Sequence, residues 1–209
     1  MPLPRGADYV DPHRPVELGG NFPGQPIKIA GHGPRTTLYD PAGGVHDGQV
    51  ILVDLDDLLP SHDPTGARNA KGGFAETKGR VEADGSVTPP DRNVGRGYGD
   101  PREGQQSIDT VQRIGQDPKP ELVQNVPSTF QEGMPAIAKT GAVVSGNART
   151  QGMKLAYKDG NADELRAFTL RKAKELGIAT ENVPNKPVLV VALENPGTVS
   201  YTHLRAHET

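Results

Sequence analysis

Glycine and proline interrupt this chain so often that few stretches can become regular elements. The 26 Gly and 20 Pro together exceed a fifth of the 209 residues. Only 33% of residues are hydrophobic and 4% aromatic, too few to fill a core of that length. The composition predicts a folded unit of about 120–140 residues, with the rest in loops and a tail. Two apolar runs stand out. Gln49-Val50-Ile51-Leu52-Val53 follows a Gly-rich turn and is rich in β-branched residues. Pro187-Val188-Leu189-Val190-Val191-Ala192-Leu193 is continuous and reads as a buried final strand.

Charge and residue types exclude several classes. The net charge of −3 gives no global basic footprint for nucleic acid, although a local patch remains compatible with it. With no cysteine, disulfides, thiolate chemistry and Cys-based zinc sites are impossible. That absence suits a reducing cytoplasm, the expected location. Residues 1–12 lack the apolar core of a secretory signal. No run approaches the ~18 apolar residues of a membrane span.

Residues 1–48 read as an extended Pro/Gly-rich tail or linker, with one short apolar alternation at Pro26–Ala30. Asp54-Leu55-Asp56-Asp57-Leu58-Leu59 reads as a short helical turn whose acids suit the helix dipole. Asp63–Gln105 is a long polar stretch, expected to be an irregular, mobile insert over about 65–105. Ile108, Val111 and Ile114 mark an amphipathic helix over Ser107–Gln116. Met134–Ala138 and Ala142–Val144 flank the turn Lys139-Thr140-Gly141 as a hairpin. Helices follow near 148–158 and 162–176. The second is expected to start in a capping box of Asn161 and Glu164 and to end at Gly177.

The chemistry concentrates where the second hairpin strand meets its helix. Ser145-Gly146-Asn147-Ala148-Arg149 offers a glycine for close backbone approach, unpaired N–H groups at a helix start, and a guanidinium fork. That combination suits a phosphate or another anion. A plain strand-to-helix turn with a surface arginine is the alternative.

The ordered set of motifs resembles the ParB/sulfiredoxin superfamily, in particular its DdrB-like branch in phage and plasmid polyvalent proteins. The resemblance spans about residues 49–193. It rests on Leu59-Pro60-Ser61-His62-Asp63-Pro64, Gly133-Met134-Pro135-Ala136-Ile137, Gly141–Thr150 and Ala156-Tyr157. It implies an α+β fold of small mixed sheets with packed helices, over residues 49–198. It implies nucleotide binding, CTP or ATP with Mg²⁺, at Gly146, Asn147, Arg149 and Thr150, with Ser61 and His62 closing the cleft. Gly146 and Arg149 match the ends of the ParB G-E-R-R motif. Asn147 stands where the sulfiredoxin motif G-C-H-R has its catalytic Cys, so sulfiredoxin chemistry is excluded. Ser145 stands where the DdrB-like branch has a glycine.

The expected function is a nucleotide-binding module of a larger mobile-element protein acting in DNA transactions. DNA is engaged through the full-length protein, with helicase or methyltransferase domains as possible neighbours. The alternatives are a non-catalytic interaction domain of the same fold, or a nuclease or nucleotidase with a metal on Asp54, Asp56 or Asp57. The leaning is against catalysis in this fragment, with nucleoside triphosphate hydrolysis left open and no metal site assigned. The last eleven residues, Val199–Thr209, resemble the translation of a transposase adapter used in sequencing-library preparation. On that reading the natural sequence runs to Thr198 and then continues in a longer protein. His203 and His207, at helical i,i+4 spacing, are set aside with this run.

Overall fold

The computed structural model describes residues 24–92 and 96–199. Residues 1–23 of the expected tail and 200–209 of the adapter-like run lie outside the described residues.

The two apolar runs become neighbouring strands. β2 (Val45–Asp54) pairs antiparallel with β9 (Pro187–Leu193), setting Val50 opposite Val191 and Leu52 opposite Leu189. β9 is buried along its whole length because it is the central strand of a five-stranded mixed sheet. The sheet also contains β1 (Gly31–Tyr39), β7 (Ala136–Ile137) and β8 (Val143–Ser145), in the order β1-β2-β9-β7-β8. β7 runs parallel to β9 and antiparallel to β8.

Side chains sort by the two-residue strand period. Ile51, Val53, Val188, Val190 and Ala192 share one core with Met153, Ala156, Leu165 and Val123. Those four come from α3 (Asn147–Lys158), α4 (Asp163–Glu175) and α2 (Pro120–Gln124). Val50, Leu52, Leu189, Val191 and Leu193 share the other core with Leu38, Phe130, Met134 and Ile178. Each fully buried Val, Leu or Ile contributes about 1.5–3 kcal/mol relative to exposure, so the β2–β9 pair anchors both cores. Ahead of the start of the two-residue β7, Gln124 takes the pairing role on β9. Its Oε1 accepts from Leu189 N–H at 2.8 Å and its Nε2 donates to Leu189 C=O at 3.0 Å.

The α+β class and the expected hairpin and helices are present, with four corrections. First, residues 31–39 are not tail but the edge strand β1, in register with β2. Its apolar signal is faint because Leu38 alone is fully buried, and Pro34 sits at a register break where an edge strand tolerates it. The β1–β2 turn is closed by Asp40, whose Oδ1 accepts from Ala42 and Gly44 N–H.

Second, α1 spans Pro101–Gln116 and so starts six residues earlier than expected, with Asp100 as N-cap and a kink at Gly104. Third, the insert is not structureless. It carries β4 (Ala75–Glu76), which pairs with β3 (His62–Asp63) just ahead of the insert, and the hairpin of β5 (Arg80–Val81) with β6 (Val87–Thr88). It also buries Phe74 and Tyr98 against Ile108 and Val111 of α1. Fourth, α4 has no side-chain cap, because its N-cap position falls on Ala162, while Asn161 Nδ2 donates to Gly115 C=O across the helix interface. At the C-terminal side, Val199 is buried in the second core, so this first residue of the adapter-like run packs with the domain.

Candidate functional site

Gly146 turns the chain from β8 into α3 with φ of 90°, a left-handed conformation that favours glycine. A Cβ there would meet Pro135 at 3.0 Å and the Arg149 Cζ at 3.1 Å. The fold itself therefore demands this glycine. The first N–H groups of a helix have no helical partner, and no side chain caps those of α3.

The structure brings the six residues singled out from sequence to this one end of α3. Ser61 N–H donates to Asn147 Oδ1 at 2.7 Å, a buried bond across 86 positions. His62 follows directly, its Nδ1 3.0 Å from Ser61 Oγ and its ring 5.6 Å from that of Tyr98. Burial pushes the His62 pKa below its ordinary value, with the nearby Glu76 opposing that shift and Arg92 reinforcing it. Thr150 Oγ1 donates to Gly146 C=O at 2.8 Å.

Arg149 is turned inward. Its guanidinium donates to Gly133 C=O at 2.7 Å and Phe130 C=O at 2.5 Å. Burial pushes its pKa down to about 10, which leaves it charged at neutral pH. Ser145 supports the same loop by donating to Phe130 C=O at 2.6 Å. The side chains of Asn147, Arg149 and Thr150 are thus engaged by the protein, and the turn's uncommitted donors are backbone groups.

The acids Asp54, Asp56 and Asp57 do not converge. Asp54 accepts from Asp56 N–H, as the cap of the 3-10 turn Leu55–Asp57. Asp56 pairs with Lys186 at 3.0 Å. Asp57 is raised in pKa, first by burial and then by Asp54. Among the described residues no group of three or more His, Asp or Glu is placed to hold a metal ion.

Sequence reasoning missed a basic cleft beside this turn. It has a volume of about 510 Å³, and Lys78, Lys154, Lys158 and Lys186 line it together with Asp56, Asp63 and Thr77. Lys154 and Lys158 lie at i,i+4 on α3, a spacing visible in sequence. Lys78 and Lys186 come from distant segments and gave no signal.

Comparison with known proteins adds one match. A family model described as ddrB-like ParB superfamily domain matches residues 42–194. No curated protein and no solved structure matches the chain. No described helix is long and apolar enough to cross a membrane.

Proposed function

From the premise that this chain belongs to the ddrB-like ParB superfamily, we propose that it is a nucleotide-binding module of a larger mobile-element protein acting in DNA transactions. The supporting observation is the buried Ser61–Asn147 bond, which sets the Ser61-His62 strand end against the Gly146–Thr150 turn. On this reading the phosphates of CTP or ATP, carried with Mg²⁺, take the open N–H groups at the start of α3, where the helix dipole is positive. Gly146 lets the backbone come close. Asn147 holds the opposite wall through Ser61, and Thr150 fixes the turn. Ser61 and His62 close the site from the strand side. Arg149 lends positive charge from within, and exchanges the Gly133 carbonyl for a phosphate oxygen when ligand binds.

A second reading, an interaction domain that binds no nucleotide, draws on the internal engagement of Asn147, Arg149 and Thr150. Calorimetric titration with CTP and with ATP, each with Mg²⁺, separates the two. Wild type should bind one of them. His62→Ala should weaken that affinity about three- to tenfold, the usual range for a neutral hydrogen bond. Absence of binding by wild type, or equal affinity in His62→Ala, would sink the nucleotide reading at this turn and leave the interaction domain.

A further inference from the structure

We propose that the lysine-lined cleft is a separate binding site, for a compact ligand carrying several phosphate charges and no larger than a mononucleotide. It lies between the Leu58–Thr65 segment, the Thr77-Lys78 segment and the second half of α3. The inference does not depend on nucleotide binding at the start of α3.

Charge carries the first step. Four lysines against two aspartates make the cleft locally positive on a chain whose net charge is −3. The lysines converge from three separate parts of the sequence, although like charges repel at such range. Their internal compensation is partial: besides the two lining aspartates, Asp54 and Asp57 also act on Lys154. Lys186 pairs with Asp56 at 3.0 Å. Lys154 Nζ donates to Leu55 C=O at 2.9 Å, and Lys158 Nζ donates to Thr65 C=O. Asp63 is occupied locally, its Oδ1 accepting from Thr65 N–H at 2.8 Å and from Thr65 Oγ1 at 2.5 Å. Each ammonium has three N–H donors, so the two backbone carbonyls orient Lys154 and Lys158 without exhausting them. Burial lowers the Lys154 pKa even though Asp56 and Asp63 oppose the shift. Burial thus outweighs the flanking carboxylates at this ammonium.

The second, independent sign is Thr77. It lines the cleft, is about 9% exposed, and its hydroxyl has no hydrogen-bond partner among the described residues. An orphaned buried hydroxyl costs about 1–3 kcal/mol unless a ligand or water satisfies it.

Shape selects the ligand class. The volume of about 510 Å³ falls in the range of small-molecule sites. A nucleic-acid strand needs an extended basic groove with aromatic platforms for its bases. Here the basic residues surround one hollow, and among the described residues no aromatic side chain lines it. Clustered ammonium groups suit the several oxygens of an oligophosphate.

The test uses the full chain and inorganic tripolyphosphate, without Mg²⁺, in a calorimetric titration at low salt. Lys158→Gln alters an exposed side chain with little risk to the fold. Lys154→Met removes the buried ammonium and keeps its stem, and its melting temperature checks folding. Lys172→Gln on α4, outside the cleft, controls for loss of charge alone. Wild type should bind saturably. Lys158→Gln and Lys154→Met should each weaken binding about tenfold, and Lys172→Gln should match wild type. Absence of saturable binding by wild type overturns the site, as does unchanged affinity in both cleft variants. A single-stranded oligonucleotide that binds more tightly than tripolyphosphate through the same lysines overturns the ligand class.

Discussion

An arginine in the first turn of a helix reads in sequence as an anion receptor, yet Arg149 directs its guanidinium onto the Gly133 and Phe130 carbonyls. Local sequence cannot tell which carbonyls will lie within reach of a long side chain. Phe130 C=O keeps Ser145 as a second donor, whereas Gly133 C=O loses a charge-assisted one when the guanidinium is removed. Arg149→Ala should therefore destabilise the fold by about 2–4 kcal/mol, as read from urea denaturation. Arg149→Lys should recover only part, because one ammonium cannot span two carbonyls as the fork does. A loss below about 0.5 kcal/mol in Arg149→Ala would mean the guanidinium is free for ligand at little structural cost. His62 gives a prediction in pH. Its folded pKa lies below the ordinary value near 6.5, chiefly through burial. Between those two pKa values the unfolded chain binds the extra proton, so the contribution of His62 to stability is full above about pH 6.5 and is lost as pH falls through that window. The urea midpoint should fall less steeply below pH 6.5 in His62→Gln than in wild type. Parallel curves would show that His62 titrates alike in both states.

At the scale of elements, α1 and α3 pack unusually close because each offers a glycine at the crossing. A Cβ on Gly152 would meet Ile114 Cβ and Cγ2 at 2.4 Å, and one on Gly115 would meet Leu155 Cδ2 at 2.7 Å. Alanine in a helix interior normally gains up to about 1 kcal/mol over glycine, but overpacking costs about 1–3 kcal/mol. Gly152→Ala should thus lower stability by about 1–2 kcal/mol in equilibrium unfolding. A gain would show that the two helices part without strain. β9 and the core of β2 announced themselves through β-branched apolar runs, and α3 through its Gly146 boundary. β1 was silent because an edge strand with one fully buried side chain has no alternation to read. The first turns of α1 carry the Asp-Pro start signal at 100–101, but they lie in a polar stretch without apolar periodicity. The Ser61-His62 strand end and the Gly146 turn were legible as motifs. The bond joining them, and the convergence of four lysines beside them, exist only once β2, α3 and β9 have assembled.

At the scale of the whole molecule, the long polar insert works as a clamp rather than as slack. Arg92 donates to Ser61 C=O at 3.0 Å and to Thr77 C=O at 2.8 Å, fastening the strand end of one site to a wall of the other. Arg80 reaches further. Its guanidinium donates to Asp57 C=O at 3.0 Å, Gln25 C=O at 3.0 Å and Thr140 C=O at 2.9 Å, while Glu82 accepts from its Nε at 2.8 Å. One side chain thereby ties the β5–β6 hairpin to the end of β2, to the segment leading into β1 and to the β7–β8 turn. Those carbonyls come from three chain segments that backbone bonds such as Ile27 N–H to Lys139 C=O and Leu59 N–H to Gly141 C=O also join, so the loss should appear as local opening of the hairpin before global unfolding. Arg80→Ala should cost about 1.5–3 kcal/mol, the range for hydrogen bonds to a charged group, with part returned by water at the exposed Gln25 carbonyl. Amide exchange should quicken first at Val81 to Thr88 and at Thr140 to Ala142, while Val188 to Leu193 keeps the protection of the central sheet. Uniform acceleration across β9 would mean that the insert and the sheet unfold as one unit. Unchanged exchange in the hairpin would mean that Phe74 and Tyr98 alone hold the insert in place.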